Sequence, residues 1–318
     1  ELEIAAKQEA LRENYRAGET SGGEGARLLS LAEARGRRAK CEFSKKENPP
    51  FWGAKTFDVP MGELDSLMPW DMFFRTWRVK DRNAEEIKGF CADAAALYEK
   101  LARVAKPKIR AGIFSAASVG DDIELYGEGG GLVETLRLMR SQEENSHGEC
   151  LCLADYVAPK GSGIADYVGL YAATVGREAD AFAEGFNAAG DSYSYMIAQT
   201  LSDALAEALS TYAQKRVFSD CGAERAGVRA AVGYASYPDH SEKAKFGGLL
   251  SLGEALGVSF TDSFMMTPKS SVAALWIANA SAKYFSAKIS REQLEDYARR
   301  TSRAVAEVEK FVSTGAWK

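Results

Sequence analysis

The chain has 318 residues, 40 Lys and Arg against 45 Asp and Glu, and a formal charge of −5. With 46% hydrophobic, 27% charged and 10% aromatic residues, it has the proportions of a soluble globular protein able to bury its own core. The mild acidity argues against a nucleic-acid or anionic-membrane surface as the main partner, and no apolar run nears the 18 residues of a membrane span. The charged opening ELEIAAKQEALRENYRAG is not a secretory signal, so a cytoplasmic location is expected.

In chain order, Leu2, Ile4, Ala5 and Leu11 predict an amphipathic helix over residues 1–17, and ETSGGEG at 19–25 reads as a flexible linker. The chain opens on Glu1 rather than Met and is read as a piece of something longer. A second helix, LLSLAEARGRRAK, is ended by the prolines of KKENPPFWG. The aromatic cluster WDMFFRTW at 70–77 surrounds one carboxylate, Asp71, which is expected to be partly desolvated and to need a partner. A helix at 84–105 follows, buried along Ile87, Phe90, Cys91, Ala94, Leu97 and Leu101. IRAGIFSAASVGDDIELYG predicts two strands around a turn at Gly120–Asp122, and Gly129–Gly131 mark another turn.

CLCLADYV at 150–157 and DYVGLYAATVG at 166–176 read as further strands. A long helical pattern over 178–216, interrupted near Gly190, has Ile197, Leu201, Leu205, Leu209 and Tyr212 on its apolar stripe. Asp203 and Glu207 then fall on its opposite, solvated face. Residues 218–240 read as loop, 241–256 as helix, and the neighbourhoods of 259–266 and 283–289 as strands. Ser290 and Gln293 carry a capping-box signature for the last helix. No regular β-α-β period appears. The expected fold is α+β: a single large domain with a mainly antiparallel sheet surrounded by helices, preceded by a helical tether.

The chemistry-bearing residues are sparse. Five cysteines, at 41, 91, 150, 152 and 221, form no disulfide framework. With only His147 and His240 as histidines, and the wrong gap between Cys150 and Cys152, no metal site is expected. There is no G-x-S-x-G elbow, and KGSGIAD and GEGGG read as plain turns rather than phosphate loops. The informative stretch is RAAVGYASYPDH, from Arg229 to His240. It joins an Arg that can fork onto a carboxylate, a glycine permitting close backbone approach at Gly233, and aromatic faces for a planar ligand. Tyr284 and Phe285 put two aromatics on adjacent positions, one per face.

Seven segments occur in a family-like order: WDMFFRTW, GIFSAASVGDDIELY, CLADYVAPKGSGIADYVGLYA, LSDALAEAL, RAAVGYASYPDHSEK, TDSFMMTPKSSVAALW and AKYFSAKISREQLEDYARR. Together they resemble the C-terminal, S-adenosylmethionine-binding activation domain of cobalamin-dependent methionine synthase, over residues 28–318. The resemblance makes residues 1–27 the tether and linker from an upstream cobalamin-binding module. It implies that Asp71, Glu207, Arg229, Gly233, Tyr234, Tyr284 and Phe285 bind S-adenosylmethionine, with Arg229 on the methionyl carboxylate and Asp71 on the ammonium. Tyr234, Tyr237 and His240 are the expected cobalamin contacts.

The implied activity is that of a methyltransferase module: reductive methylation of cob(II)alamin, with cobalamin carried by the partner module and an electron from flavodoxin or a flavoprotein reductase. No catalytic acid or base is implied. The chain departs from the family in lacking prolines after Arg229 and Tyr234 and an Asn in GIFSAAS; Glu224 is one position off the family's acidic residue. These departures define an alternative, a non-catalytic docking module for a corrinoid protein or reductase that no longer binds S-adenosylmethionine. A stand-alone activator acting in trans is a third reading.

Overall fold

The computed structural model describes residues 28–44, 46–81, 83–219 and 227–313; the expected tether, Cys221 and Glu224 lie outside them. Nine strands are described: β1 (Gly53–Asp58), β2 (Lys108–Val119), β3 (Asp122–Tyr126), β4 (Leu132–Leu136), β5 (Asp166–Thr174), β6 (Val228–Ala231), β7 (Ser259–Phe260), β8 (Met266–Thr267) and β9 (Ser271–Ile277). The α-helices are α1 (Leu31–Gly36), α2 (Met61–Asp65), α3 (Trp70–Thr76), α4 (Ala84–Val104), α5 (Arg177–Ala188), α6 (Ser192–Tyr212), α7 (Lys243–Leu249), α8 (Leu252–Leu256), α9 (Arg291–Thr301) and α10 (Val305–Phe311).

The main sheet runs β4-β3-β2-β5-β9-β6, with β1 also on β2, and every pairing is antiparallel. The α+β expectation holds. β5 sits at the centre and is buried along its whole length, so both of its faces carry apolar side chains rather than alternating with polar ones. On one face α3, α4, α5 and α6 pack Phe73, Phe90, Leu101, Ala179 and Leu205 over Ile109, Tyr171 and Trp276. Phe218 stacks on Trp276 with ring centroids 4.6 Å apart, and a Cβ on Gly169 would come within 2.6 Å of Phe218. That strand position therefore has to be glycine. On the other face Leu170, Leu275 and Ile277 meet Tyr237, Phe246, Leu250 and the 150–157 segment.

That second layer is organised by an arginine. Arg140 is 1% exposed and donates from Nη1 and Nη2 to Asp155, at 2.6 and 2.7 Å, and from Nε to Asp121 at 2.8 Å. Asp121 also accepts from Arg35 on α1 (2.7 Å), whose other arm reaches Asp296 on α9 (2.7 Å). Bidentate, charge-assisted bonds let a guanidinium exist without water.

Several local expectations need correcting. Residues 150–157 form no strand; Leu153–Tyr156 is a 3-10 turn whose Asp155 is required by Arg140, and both Cys150 and Cys152 are buried. The 259–266 region holds only the two-residue β7 and the start of β8, 283–289 forms no strand, and the substantial strand is β9, which was missed. Arg229 lies in β6 rather than in a loop. The 241–256 helix divides into α7 and α8 at Ser251, which has φ +50°. Ser290 caps α9 without a side-chain bond, because Gln293 is buried and exchanges two hydrogen bonds with the Arg140 backbone. A capping box does form at Ser30 and Glu33. Among the described residues, no helix is long and apolar enough to cross a membrane and no cluster could hold a metal ion.

Replacing Arg140 with Met strands Asp121 and Asp155 in the interior, so it should cost about 3–5 kcal/mol in chemical denaturation. An unchanged midpoint would show that the cluster is not structural. Burial pushes the Asp121 carboxyl up, but Arg140 and Arg35 outweigh it and hold the carboxyl below its ordinary range. Asp121 therefore stabilises the fold above the ordinary Asp value of about 4, and this contribution is lost as pH falls below it. The acid loss of stability, followed by denaturation across that range, should be shallower in Arg140→Met than in the parent.

Candidate ligand-binding cleft

Across the sheet, Tyr171 of β5 faces Ala274 of β9, which faces Ala231 of β6. This row of small side chains beside the phenol leaves a hollow between the sheet edge and α6. Asp203, Ala206, Glu207 and Ser210 recur every three or four residues on α6 and so share the face that looks into it. The result is a cleft of about 550 Å³, completed by Arg229, the Lys269–Val272 turn, Tyr234, Tyr284 and Met72. The Asp203–Glu207 face, expected to be merely solvated, is a cleft wall.

Arg229 Nη2 donates to Glu207 Oε1 across the cleft, with the two side chains 22% and 42% exposed. Asp203 accepts from Ser270 Oγ at 2.8 Å. Tyr234 and Tyr284 stand 59% and 56% exposed at the rim, offering two open ring faces. The structure thus brings together Glu207, Arg229, Tyr234 and Tyr284.

Other predicted residues stand apart. Asp71 is exposed on α3 rather than desolvated; it neighbours the rim residue Met72, but its side chain does not line the cleft. Phe285 packs against the second core, and its amide donates to Ser236 Oγ at 3.0 Å, so it supports the Tyr234 loop from behind. Tyr237 is 1% exposed and donates to Glu242 at 2.9 Å. It is a core residue, so the surface contact expected of it does not hold. His240 is half-buried, accepting from Lys243 Nζ at Nδ1 (2.9 Å). Burial, reinforced by Lys243, lowers the His240 imidazole; burial brings the Lys243 ammonium down to about 8.

Gly233 contributes backbone rather than side chain. It has φ +91°, and a Cβ there would lie 2.4 Å from the His240 ring. Its amide donates to Tyr237 O at 2.7 Å, closing the turn that lifts Tyr234 to the rim. Sequence reasoning missed Tyr171 and Ser210. Tyr171 reads as one more apolar strand residue, while Ser210 carried a usable signal, three positions beyond Glu207 on the same helical face.

A larger hollow of about 880 Å³ lies near Trp52, Phe114, Tyr126 and Tyr167. Its buried carboxylate, Asp166, is already matched by Lys46 and by the Ala158 and Tyr167 amides. The smaller cleft is the better site because its opposed charges face open space.

Residues 60–302 match the family described as vitamin B12 dependent methionine synthase, activation domain, and the chain belongs to that family. The crystal structure of the MetH reactivation domain bound to AdoHcy is similar over most of the chain. Its TM-score is 0.81 at 32% identity, over 89% of this chain and 97% of that one.

Gly233→Ala combines a left-handed backbone with a collision against His240, and should destabilise the fold by about 1–3 kcal/mol. Thermal unfolding measures this. A fully retained midpoint would mean that the Tyr234 turn relaxes freely.

Proposed function

We propose that the cleft binds S-adenosylmethionine and presents its methyl group to cobalamin held by the cobalamin-binding module, as the reactivating methyltransferase step of methionine synthase. The observation that carries this reading is the Arg229–Glu207 pair facing an open cavity. An amino-acid zwitterion can exchange partners with it: Arg229 takes the ligand carboxylate and the released Glu207 takes the ammonium. No charge is left unmatched by the exchange. Asp203 and Glu207 also suit a sulfonium, which prefers carboxylates and aromatic faces to hydrocarbon.

Tyr234 and Tyr284 at the rim fit a broad, flat partner such as a corrin. Cobalamin supplies the methyl-accepting centre when its module docks there. This chain's residues position the donor and narrow its orientation, and no general acid or base is required because a neutral thioether is a good leaving group. Residues 1–27 are the tether to that module in this proposal, and flavodoxin or a flavoprotein reductase supplies the electron.

Calorimetric titration with S-adenosylmethionine tests the site. Binding by the parent should weaken by about 2–4 kcal/mol in Arg229→Ala, because a charged ligand group loses its partner. Normal binding by that variant removes Arg229 as the anchor. A parent that binds nothing, alone and with the cobalamin-binding module added, selects the docking-module alternative.

A further inference from the structure

Lys243 opens α7 and is 5% exposed, yet among the described residues no carboxylate pairs with it. Its partner is the imidazole of His240, three residues earlier, with Nζ 2.9 Å from Nδ1. An ammonium has only donors, so that bond exists only while Nδ1 keeps its lone pair. The ring's single proton is thereby assigned to Nε2. There it faces Ser313 Oγ at 3.4 Å, and Ser313 donates its own proton to Gly233 O at 2.5 Å, in preference to Pro238 O at 3.3 Å. Three hydrogen bonds thus run in one direction, from Lys243 through His240 and Ser313 to the Gly233 carbonyl. The same ring packs against Gly233 directly, since a Cβ there would lie 2.4 Å from Nδ1 and from Cε1.

A proton at Nδ1 reverses the first link. Two cationic donors then face each other, one of them buried. Burial and Lys243 both resist this and hold the imidazole below its ordinary value. The other charges near the ring are engaged elsewhere. Asp239, whose attraction works the other way, is held by Arg303 and by Tyr297 at 2.8 Å. Arg303 also donates to Ser241 Oγ at 2.6 Å, and Glu242 accepts from Tyr237 and Lys245. Ser313 and Gly233 face the ring with uncharged groups.

We propose that Lys243 and His240 are positioning residues of the ligand cleft, with Lys243 fixing the neutral Nε2–H form of His240 and that ring clamping the Gly233 turn. A proton arriving at Nδ1 unlocks the turn and weakens S-adenosylmethionine binding. Neither residue lines the cleft; their effect passes through Tyr234, which does. The proposal rests on the reading of the cleft as an S-adenosylmethionine site, and it adds a pH dependence which that reading does not contain.

Nitrogen-correlated NMR of the full chain reads the ring directly, because the chain has only two histidines and His240→Gln removes one signal. His240 should be the Nε2–H tautomer at about pH 7.5 and should titrate below the ordinary value of about 6.5. Saturating S-adenosylmethionine should push that titration lower still, because a ligand that favours the neutral ring must equally disfavour the proton. In calorimetry, the parent's affinity should fall by up to about tenfold per pH unit once His240 is protonated. His240→Gln should bind more weakly near neutrality but lack this fall. Lys243→Met, which removes the repelling cation, should move the fall to higher pH. A melting curve verifies that each variant is folded.

An Nδ1–H tautomer, or a His240 titration that S-adenosylmethionine leaves unmoved, overturns the proposal on the parent alone. The same acid fall in His240→Gln, or a fall at the parent's pH in Lys243→Met, overturns it as well. In each of these cases the parent's binding keeps the cleft assignment intact, whereas a parent that binds no S-adenosylmethionine at any pH overturns both.

Discussion

A guanidinium shut away from water must find all its hydrogen bonds within the protein, and in this chain that demand is met at Arg140. Asp121 and Asp155 answer it from the β2–β3 turn and from the 3-10 turn at 153–156, and Arg35 extends the cluster to α1 and α9. Four distant pieces of chain are thereby fixed to one face of the sheet. The second hydrophobic layer can then close over β5 and β9, with Tyr237 and Phe246 inside it. The turn that carries Tyr234 hangs from that layer. Its geometry is therefore a remote consequence of a buried charge cluster rather than of its own five residues.

The cleft lies on the opposite face, where the sheet edge and α6 are kept apart by what the residues lack. Ala206, Ala231 and Ala274 leave room, and Glu207 and Arg229 span it. A pair this exposed contributes little to stability, since solvent screening and side-chain entropy offset most of its attraction. Its small cost of opening is what suits it to exchange partners with a charged ligand. The well-satisfied charges are in the scaffold, and the weakly held ones are in the cleft.

The long helices α4, α5 and α6, the β2–β3 hairpin and β5 were legible because their periodicity is strong and their burial is local in origin. The 150–157 segment was misread as a strand because its alternation imitates one. Its actual course is set by Arg140, through contacts that no local pattern records. Gln293 misled for the same reason: it reads as half of a capping box, but the Arg140 backbone claims its side chain. Of the residues that line the cleft, Arg229 and Tyr234 stood out in sequence by charge and aromaticity, whereas Glu207 and Tyr284 entered through the family resemblance, Glu207 by itself reading as part of a solvated helix face. Asp71 was misjudged because aromatic neighbours in sequence do not imply burial, as its side chain leaves the cluster for solvent. Tyr171 was invisible because a phenol inside an apolar strand pattern looks like core until it is seen lining the cleft.

The absence of prolines from RAAVGYA raises the question of what keeps the Tyr234 turn in shape. Within the turn, Gly233 and Tyr237 exchange one bond and Tyr237 reaches back to Tyr234 O at 2.9 Å. From outside, Ser313 donates to Gly233 O at 2.5 Å, Ser236 joins the Phe285 backbone, and His240 fills the space a Cβ would need. Asp239, next to that histidine, is itself held by Arg303 and by Tyr297 at 2.8 Å. Rigidity that a proline would place in the local backbone is supplied here by tertiary contacts from α9 and the chain beyond α10. The altered loop is therefore still an ordered one, and its sequence departure is weak support for a degenerate site. What the departure does change is dependence. The rim tyrosine now relies on the C-terminal helices, so a disturbance there reaches the cleft through Ser313 and Asp239 without touching any residue that lines it.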